Sequence, residues 1–389
     1  MSRFFICPIC KNENPKYIGY INGSPYCRKC ISFKGELVDE NFKITDNIKL
    51  DINYNLTKYQ ADISSKIVEN YKNKFNQLIY AVCGAGKTEL VFKVIEFALN
   101  NKQRVGFAIP RKDVVIELYE RLKFAFKNAK VISLYGGHKE EIEADIVCLT
   151  THQLFRYNNY FDLLILDELD AFPYKDNEVL SNIFLRSIKG NYILMSATPS
   201  KEFINEFKKQ SGNKLLELPF RFHMKNIPIP QIKIVFFDMF KIIYIFYKIK
   251  QYIKQNKQVL IFVPTIYFSK KIYFYLKNLV KPGYFVNSQC EDRYQIIENF
   301  KHKKFKYLIT TAVLERGITL PNLQVIIFKA DHEIYSEETL SQISGRVGRK
   351  KEFPNGEVIY LSDKKTKAMV DSISRINEAN KVLQKVLQR

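Results

Sequence analysis

The residues Ala81-Val82-Cys83-Gly84-Ala85-Gly86-Lys87-Thr88 have the make-up of a phosphate cradle. Gly84 and Gly86 let the backbone curl until its N–H groups face an anion, and a helix opening at the end of the loop adds its positive pole. Lys87 would then reach the β- and γ-phosphates, and the Thr88 hydroxyl would hold Mg2+. The loop starts with Ala81 where the usual pattern has glycine. Further on, "LLILDELDAFPY" (163–174) runs an apolar stretch into Asp167, Glu168 and Asp170. Carboxylates crowded at the mouth of a buried strand repel one another unless a cation joins them. Asp167 would bind the Mg2+, commonly through water, and Glu168 would orient and deprotonate the attacking water. Together the two motifs point to hydrolysis of a nucleoside triphosphate.

A second chemistry lies near the N-terminus. Cys7-x-x-Cys10 and Cys27-x-x-Cys30 are separated by 16 residues, a spacing that suits a four-thiolate zinc site. Four protein ligands leave no open position, so the expected role of Zn2+ here is structural. Asn22-Gly23 between the pairs suggests a hairpin turn. Disulfides are disfavoured in a reducing compartment, and a redox C-x-x-C would want a thioredoxin-like setting that is absent. Cys83, Cys148 and Cys290 read as small buried side chains.

The elements that must position these residues alternate. Strand-like runs at 77–82, 104–109, 130–135, 145–150, 163–168 and 192–197 are separated mostly by helical patterns; apolar residues 90, 91, 94, 95, 98 and 99 share one helix face. Such alternation implies a parallel sheet with helices on both faces. "PFRFHMKNIPIPQ" (219–231) reads as a linker. Beyond it a second series follows: "KIVFF", "QVLIFVP", "GYFV", "KYLITT", "QVIIFKA" and "EVIYLS", closed by an amphipathic helix apolar at Met369, Val370, Ile373, Ile376, Val382, Leu383, Val386 and Leu387. The expected organisation is a zinc module and linker over 1–50, a first α/β domain over 51–222 and a second over 223–389.

The net charge of +21 attracts polyanions, nucleic acid first among them. No apolar run approaches the roughly 18 residues of a spanning helix. The chain enters its cysteine pairs without a signal-peptide core, which predicts a cytoplasmic protein.

Two weaker motifs complete the pattern. In "LTKYQ" (56–60), Gln60 is placed to meet an adenine edge, or else belongs to a helix start capped by Thr57. In "QISGRVGR" (342–349), Arg346 and Arg349 are spaced for one helix face and would neutralise charge on a departing phosphate. The loop at 81–88, "DELD", "SAT" (196–198), "TTAVLERGIT" (310–319) and "QISGRVGR", in that order, resemble a superfamily 2 helicase or translocase. "DELDAFPY" and "RVGRK…FPNGEVIYLSD" behind a four-cysteine module resemble the ComFA family of late competence ATPases.

That resemblance implies two tandem RecA-like domains, ATP as fuel, and single-stranded DNA as track. It assigns Pro110, Arg111, Thr150, Thr151, His152, Gln153, Pro264, Thr265, Thr310 and Thr311 to the sugar–phosphate backbone. It assigns Ser196 and Thr198 to coupling, and Gly317 and Gln342 to the nucleotide. Partners implied are other competence proteins: a DNA-uptake channel, a ComFC-type protein and a DprA-type strand loader, met in the cytoplasm or at the inner face of the membrane. Thr319 stands where many such helicases carry Asp, and Gln342 where RNA-remodelling relatives carry His. A duplex-unwinding replication-restart or RNA helicase is the rival expectation. A non-enzymatic zinc-dependent binding module is the other, and the retention of Lys87, Thr88, Asp167, Glu168, Arg346 and Arg349 speaks against it.

Overall fold

The computed structural model describes residues 5–31, 33, 36–38, 42–137, 141–171, 174, 176–311 and 320–388. The chain forms two compact units, residues 1–81 with 86–218, and residues 82–85 with 219–389.

The first unit opens with a hairpin of β1 (Ile18–Ile21) and β2 (Ser24–Cys27). Asn22 and Gly23 between them both have positive φ (48° and 78°), the backbone that a two-residue turn matching strand twist demands. The main sheet comprises β3 (Asn76–Ala81), β4 (Val105–Ile109), β5 (Val131–Leu134), β6 (Ile146–Thr150), β7 (Phe161–Asp167), β8 (Ile188–Ser196) and β9 (Asn213–Leu218). Their spatial order is β5-β6-β4-β7-β8-β3-β9, every pair parallel. A parallel sheet with helices on both faces buries its strands on two sides, which is why β4 and β6 are buried at every residue and β7 at all but one. β9 was not among the expected strands. "NKLLEL" is short and its side chains are mostly half-buried, as suits an edge strand pairing with β3 alone.

The second unit has β10 (Gln231–Ile234), β11 (Gln258–Phe262), β12 (Gly283–Val286), β13 (Tyr307–Thr310), β14 (Leu323–Phe328) and β15 (Val358–Ser362). Their order is β10-β15-β14-β11-β13-β12, again all parallel. The strand expected over 233–237 instead spans Gln231–Ile234. Its only partner, β15, ends at Ser362 opposite Ile234, so Phe236 and Phe237 have nothing to pair with and stand in solvent.

Two further expectations change in this unit. The C-terminal helix Lys367–Leu387 is capped by Thr366 and buries Met369, Ser372, Ile376, Asn380 and Leu383, whereas Val370, Val382 and Leu387 are exposed. Asn380 is used as a clamp: it accepts from Ile227 N at 2.8 Å and donates to Ile227 O at 2.9 Å. The stretch read as a polar linker is therefore partly built in. Within it, Arg221 is fully buried.

The motif "QISGRVGR" also departs from its expected helix. Helix Glu337–Ser344 stops at Gly345, and Gly348 has φ +70°, so Arg346 and Arg349 lie on a turn beyond the helix. The carbonyls released there do not stay unsatisfied. Arg221 donates to Gly345 O at 3.0 Å, Val347 O at 2.7 Å and Gly348 O at 2.6 Å, and its Nε donates to Cys83 O at 3.2 Å within the same unit. A cation at the negative end of a helix is favourable, and here it replaces the missing backbone partners. Burial, and then the charge of Arg349, oppose the ionisation of Arg221; the carbonyl cage offsets that cost.

Candidate nucleotide and nucleic-acid sites

In an α/β sheet of this kind, ligands bind beyond the carboxyl ends of the strands. The first unit places its motif residues there. β3 leads into the Ala81–Thr88 loop, β4 into Pro110 and Arg111, β6 into Thr150–Gln153, β7 into Asp167 and Glu168, and β8 into Ser196–Thr198. The strand order puts the 81–88, 196–198 and 167–168 segments at the ends of neighbouring strands β3, β8 and β7, with 110–111 and 150–153 after β4 and β6 beside them.

The phosphate loop has the geometry its glycines predict. Gly84 and Gly86 adopt φ of 86° and 79°, Ala85 N donates to Val82 O at 3.0 Å, and the helix Lys87–Leu90 begins directly after Gly86. A Cβ at Gly86 would come within 2.5 Å of Gln60 Nε2, so a side chain there would both strain the backbone and strike the neighbouring helix. Gln60 is buried and does two things. Its Oε1 accepts from Thr57 N and Thr57 Oγ1, both at 3.0 Å, closing a capping box on helix Lys58–Lys72, and its amide nitrogen lies against the loop.

Lys87 Nζ lies 3.6 Å from Asp167 Oδ1, with both side chains largely enclosed. Asp167 Oδ1 also accepts from Glu168 N at 2.8 Å. Glu168 itself sits at φ +60°, a left-handed conformation that costs a non-glycine residue on the order of 1 kcal/mol or more. Strain of this kind gathers where a side chain must be aimed. Gly86 at positive φ, the lysine and the carboxylate fit a triphosphate with a divalent cation.

The sequence shows Asp170 only as one of the carboxylates at the mouth of β7, and the structure gives it a contact. Its two carboxylate oxygens accept from Ser196 Oγ and Thr198 Oγ1, each at 2.7 Å. Ser196 Oγ in turn accepts from Thr198 N at 3.0 Å. The end of β7 and the "SAT" turn after β8 are thus one hydrogen-bonded piece. Replacing Asp170 by Ala is expected to lower nucleic-acid stimulation of ATP turnover about tenfold while keeping unstimulated turnover; the ratio of the two rates checks it.

The proposed backbone contacts are ordered locally. Arg111 is the N-cap of helix Lys112–Ala125, and Thr265 caps helix Ile266–Leu276 by accepting from Phe268 N at 3.3 Å. Thr310 and Thr311 are buried at the end of β13, and Pro264 follows β11, its neighbour. Thr151 is fully buried and its hydroxyl has no partner among the described residues. His152 is exposed on its turn, with its ring packed on one side, and the desolvation there lowers its pKa. Gln342 is buried in helix Glu337–Ser344, and Arg346 is buried as well. Gly317 and Thr319 lie outside the described residues.

The four cysteines form a single cluster. Their sulfurs all lie within 4.8 Å of one another, with Cys7–Cys30 at 3.8 Å and Cys10–Cys27 at 3.7 Å. A tetrahedron with Zn–S bonds of about 2.3 Å has sulfurs about 3.8 Å apart. Burial pushes the Cys10 thiol up to about 11 and Cys30 higher still; burial raises Cys7 too, but the N–H groups of Cys10 and Ile9 and the thiols of Cys10 and Cys30 together leave it lowered. Buried thiols of this kind suit a cation that holds them as thiolates, so the donor set fits zinc. Of the remaining cysteines, Cys148 is buried as expected, while Cys83 and Cys290 are only partly so. Cys7→Ala is expected to abolish zinc retention, measured by metal analysis of the purified chain; unchanged zinc content would exclude the four-thiolate site.

Comparison with known proteins follows the same division. Residues 53–201 match the family described as "Type III restriction enzyme, res subunit", and residues 242–351 the "Helicase conserved C-terminal domain". The chain is 35% identical to Competence protein ComFA of Bacillus subtilis over 99% of its own length and 87% of that protein. The chain belongs to the ComFA family.

It is also 33% identical to Competence protein ComFA of Streptococcus pneumoniae, across 92% of this chain and 86% of that one. ATP-dependent DNA helicase RecG of Helicobacter pylori is 28% identical over 76% of the chain, which spans 48% of RecG. The solved structure of S. cerevisiae Dbp5 bound to RNA and ADP BeF3 superposes with a TM-score of 0.61 at 18% identity, covering 85% of this chain and 98% of that one, and shows the shared two-sheet RecA-like fold. Family membership with helicase-type domains in both halves makes the chain an ATP-hydrolysing, nucleic-acid-stimulated enzyme. Among the described residues, no helix is long and apolar enough to cross a membrane.

Proposed function

We propose that the chain is an ATP-driven translocase on single-stranded DNA that serves DNA uptake during natural transformation. The observation that carries it is the unit made by Lys87, Asp167, Asp170, Ser196 and Thr198: a phosphate-site lysine paired with a carboxylate at the end of β7, and a second carboxylate there bonded to the turn after β8. Family membership supplies the biological setting.

In this reading Lys87 and the N–H groups of Val82–Gly86 bind the β- and γ-phosphates of ATP, and Gln60 borders the adenine. Thr88 and Asp167 hold Mg2+, which when bound neutralises charge building on the phosphates. Glu168, held at its strained backbone position, receives the proton of the attacking water. Arg346 and Arg349 answer the departing phosphate, with Gly317 and Gln342 at the nucleotide. Asp170 passes any displacement at the end of β7 to Ser196 and Thr198. Pro110, Arg111, Thr150–Gln153, Pro264–Thr265 and Thr310–Thr311 grip the sugar–phosphate backbone, which carries no sequence information. Zn2+ on Cys7, Cys10, Cys27 and Cys30 is structural. The functional division proposed is a zinc module over 1–50 and ATPase lobes over 51–222 and 223–389. Other competence proteins, among them an uptake channel, a ComFC-type protein and a DprA-type strand loader, are the partners proposed. The proposed place of action is the cytoplasm or the inner face of the membrane.

The RecG relative favours a second reading, in which duplexes are unwound. ATP hydrolysis measured without nucleic acid and with single-stranded DNA, duplex DNA or RNA separates the two. Greatest stimulation by single-stranded DNA, fading steeply as salt rises, is expected. Equal or greater stimulation by duplex or RNA would reject the translocase reading.

A further inference from the structure

The four-cysteine cluster and the Thr151–Arg156 turn are joined by one aromatic side chain. Phe33 N donates to Cys30 O at 3.0 Å, which ties this residue to the second cysteine pair. Its ring stacks on His152, centroids 6.0 Å apart at 27°, and meets Phe155 at 5.8 Å. Two hydrogen bonds to Arg156, one to its guanidinium and one to its carbonyl, extend the attachment. Glu36 O accepts from Arg156 at 3.0 Å, and Val38 N donates to Arg156 O at 3.1 Å. Arg156 Nε meanwhile donates to Gln153 Oε1 at 2.7 Å. Of the side chains read as backbone contacts in this turn, His152 is therefore oriented by Phe33, and Gln153 by an arginine that the same arm holds.

The far side of the cluster is anchored too. Asn182, on helix Glu178–Ser187, donates to Cys10 O at 2.8 Å, and Lys29 lies 3.6 Å from Glu178. A module of two short strands has too little core to hold its shape without a metal. Zinc loss would leave Phe33 with no fixed base, and the turn with one face uncovered.

We propose that the zinc module positions the Thr151–Arg156 turn through Phe33, so that affinity for single-stranded DNA depends on the metal. Phe33 is a positioning residue in this scheme; it does not touch DNA. The proposal rests on the turn being a DNA contact. Coupling between two sites is reciprocal: if zinc tightens DNA binding by some factor, saturating DNA tightens zinc binding by the same factor.

The test uses the full chain and an oligo-dT strand. Fluorescence anisotropy gives oligonucleotide affinity for the zinc-loaded, zinc-stripped, Phe33→Ala and Phe33→Tyr proteins. Competition with a chromophoric chelator gives zinc affinity with and without saturating oligonucleotide. Zinc removal and Phe33→Ala are each expected to weaken oligonucleotide binding about tenfold, with Phe33→Tyr near wild type. The oligonucleotide should tighten zinc binding by the matching factor in the wild type and not in Phe33→Ala. Zinc affinity in the wild type that is indifferent to the oligonucleotide overturns the proposal, and this arm decides even if Phe33→Ala sheds its zinc. His152→Ala and Gln153→Ala identify the level of a failure. If they weaken binding while Phe33→Ala does not, the coupling is wrong and the DNA contact stands; if neither has an effect, the contact is wrong and the coupling falls with it.

Discussion

Lys87→Ala lowers ATP turnover about a thousandfold while leaving the fold and oligonucleotide binding in place, with steady-state hydrolysis, circular dichroism and anisotropy as the measurements. The expectation follows from what the ammonium does and what its loss leaves behind. Lys87 is a mobile point charge at the start of a helix, 3.6 Å from Asp167. No backbone group can replace it against developing negative charge on a phosphate. Its removal costs the fold little, since the β3 strand and the glycine loop are held by backbone bonds and by apolar burial at Leu78, Ile79 and Ala81. Full turnover in this variant would remove the nucleotide-site assignment.

Arg221→Leu destabilises the second unit by about 3 kcal/mol, read as a lower denaturation midpoint in urea, and reduces turnover besides. Leucine fills part of the volume and none of the hydrogen-bonding need. The carbonyls of Gly345, Val347 and Gly348 would each lose a donor at 2.6–3.0 Å in a place closed to water. Gly345 O keeps Arg349 Nε and Gly348 O keeps His223 Nε2, each at 3.0 Å, so Val347 O is the acceptor left orphaned, at about 1 kcal/mol or more, and the rest of the loss comes from the weakened pairs and the unfilled volume. Because those carbonyls belong to the turn that carries Arg346 and Arg349, its shape should loosen with them. A midpoint equal to wild type would mean that the guanidinium is replaceable there.

Much of this architecture was legible because the signals were local. β7 shows itself as an apolar run ending in acids, the phosphate loop as glycines followed by Lys87 and Thr88, and the metal cluster as two C-x-x-C pairs. What stayed hidden depends on contacts distant in sequence. Asp170 meets Ser196 and Thr198 across 26 and 28 residues, and nothing in "DELD" announces that pairing. Arg221 is a lone arginine among prolines, yet its partners lie 124 to 138 residues away. The end of the helix at Gly345 was readable in principle: glycines at 345 and 348 are stop signals, though the spacing of the two arginines also suits a helix face. The exposure of Val370 and Val382 reflects a buried stripe narrower than the apolar pattern, with Ser372 and Asn380 taking inward positions.

The clamp between Asn380 and Ile227 carries a consequence for biosynthesis. Its two ends are 153 residues apart, so Ile227 leaves the ribosome long before its fastener exists. Until then the strand segments of the nascent lobe lack the helix that closes over Ile227. Closing such distant seams is slow in any topology, and a pause in translation ahead of residue 380 would lengthen the vulnerable interval.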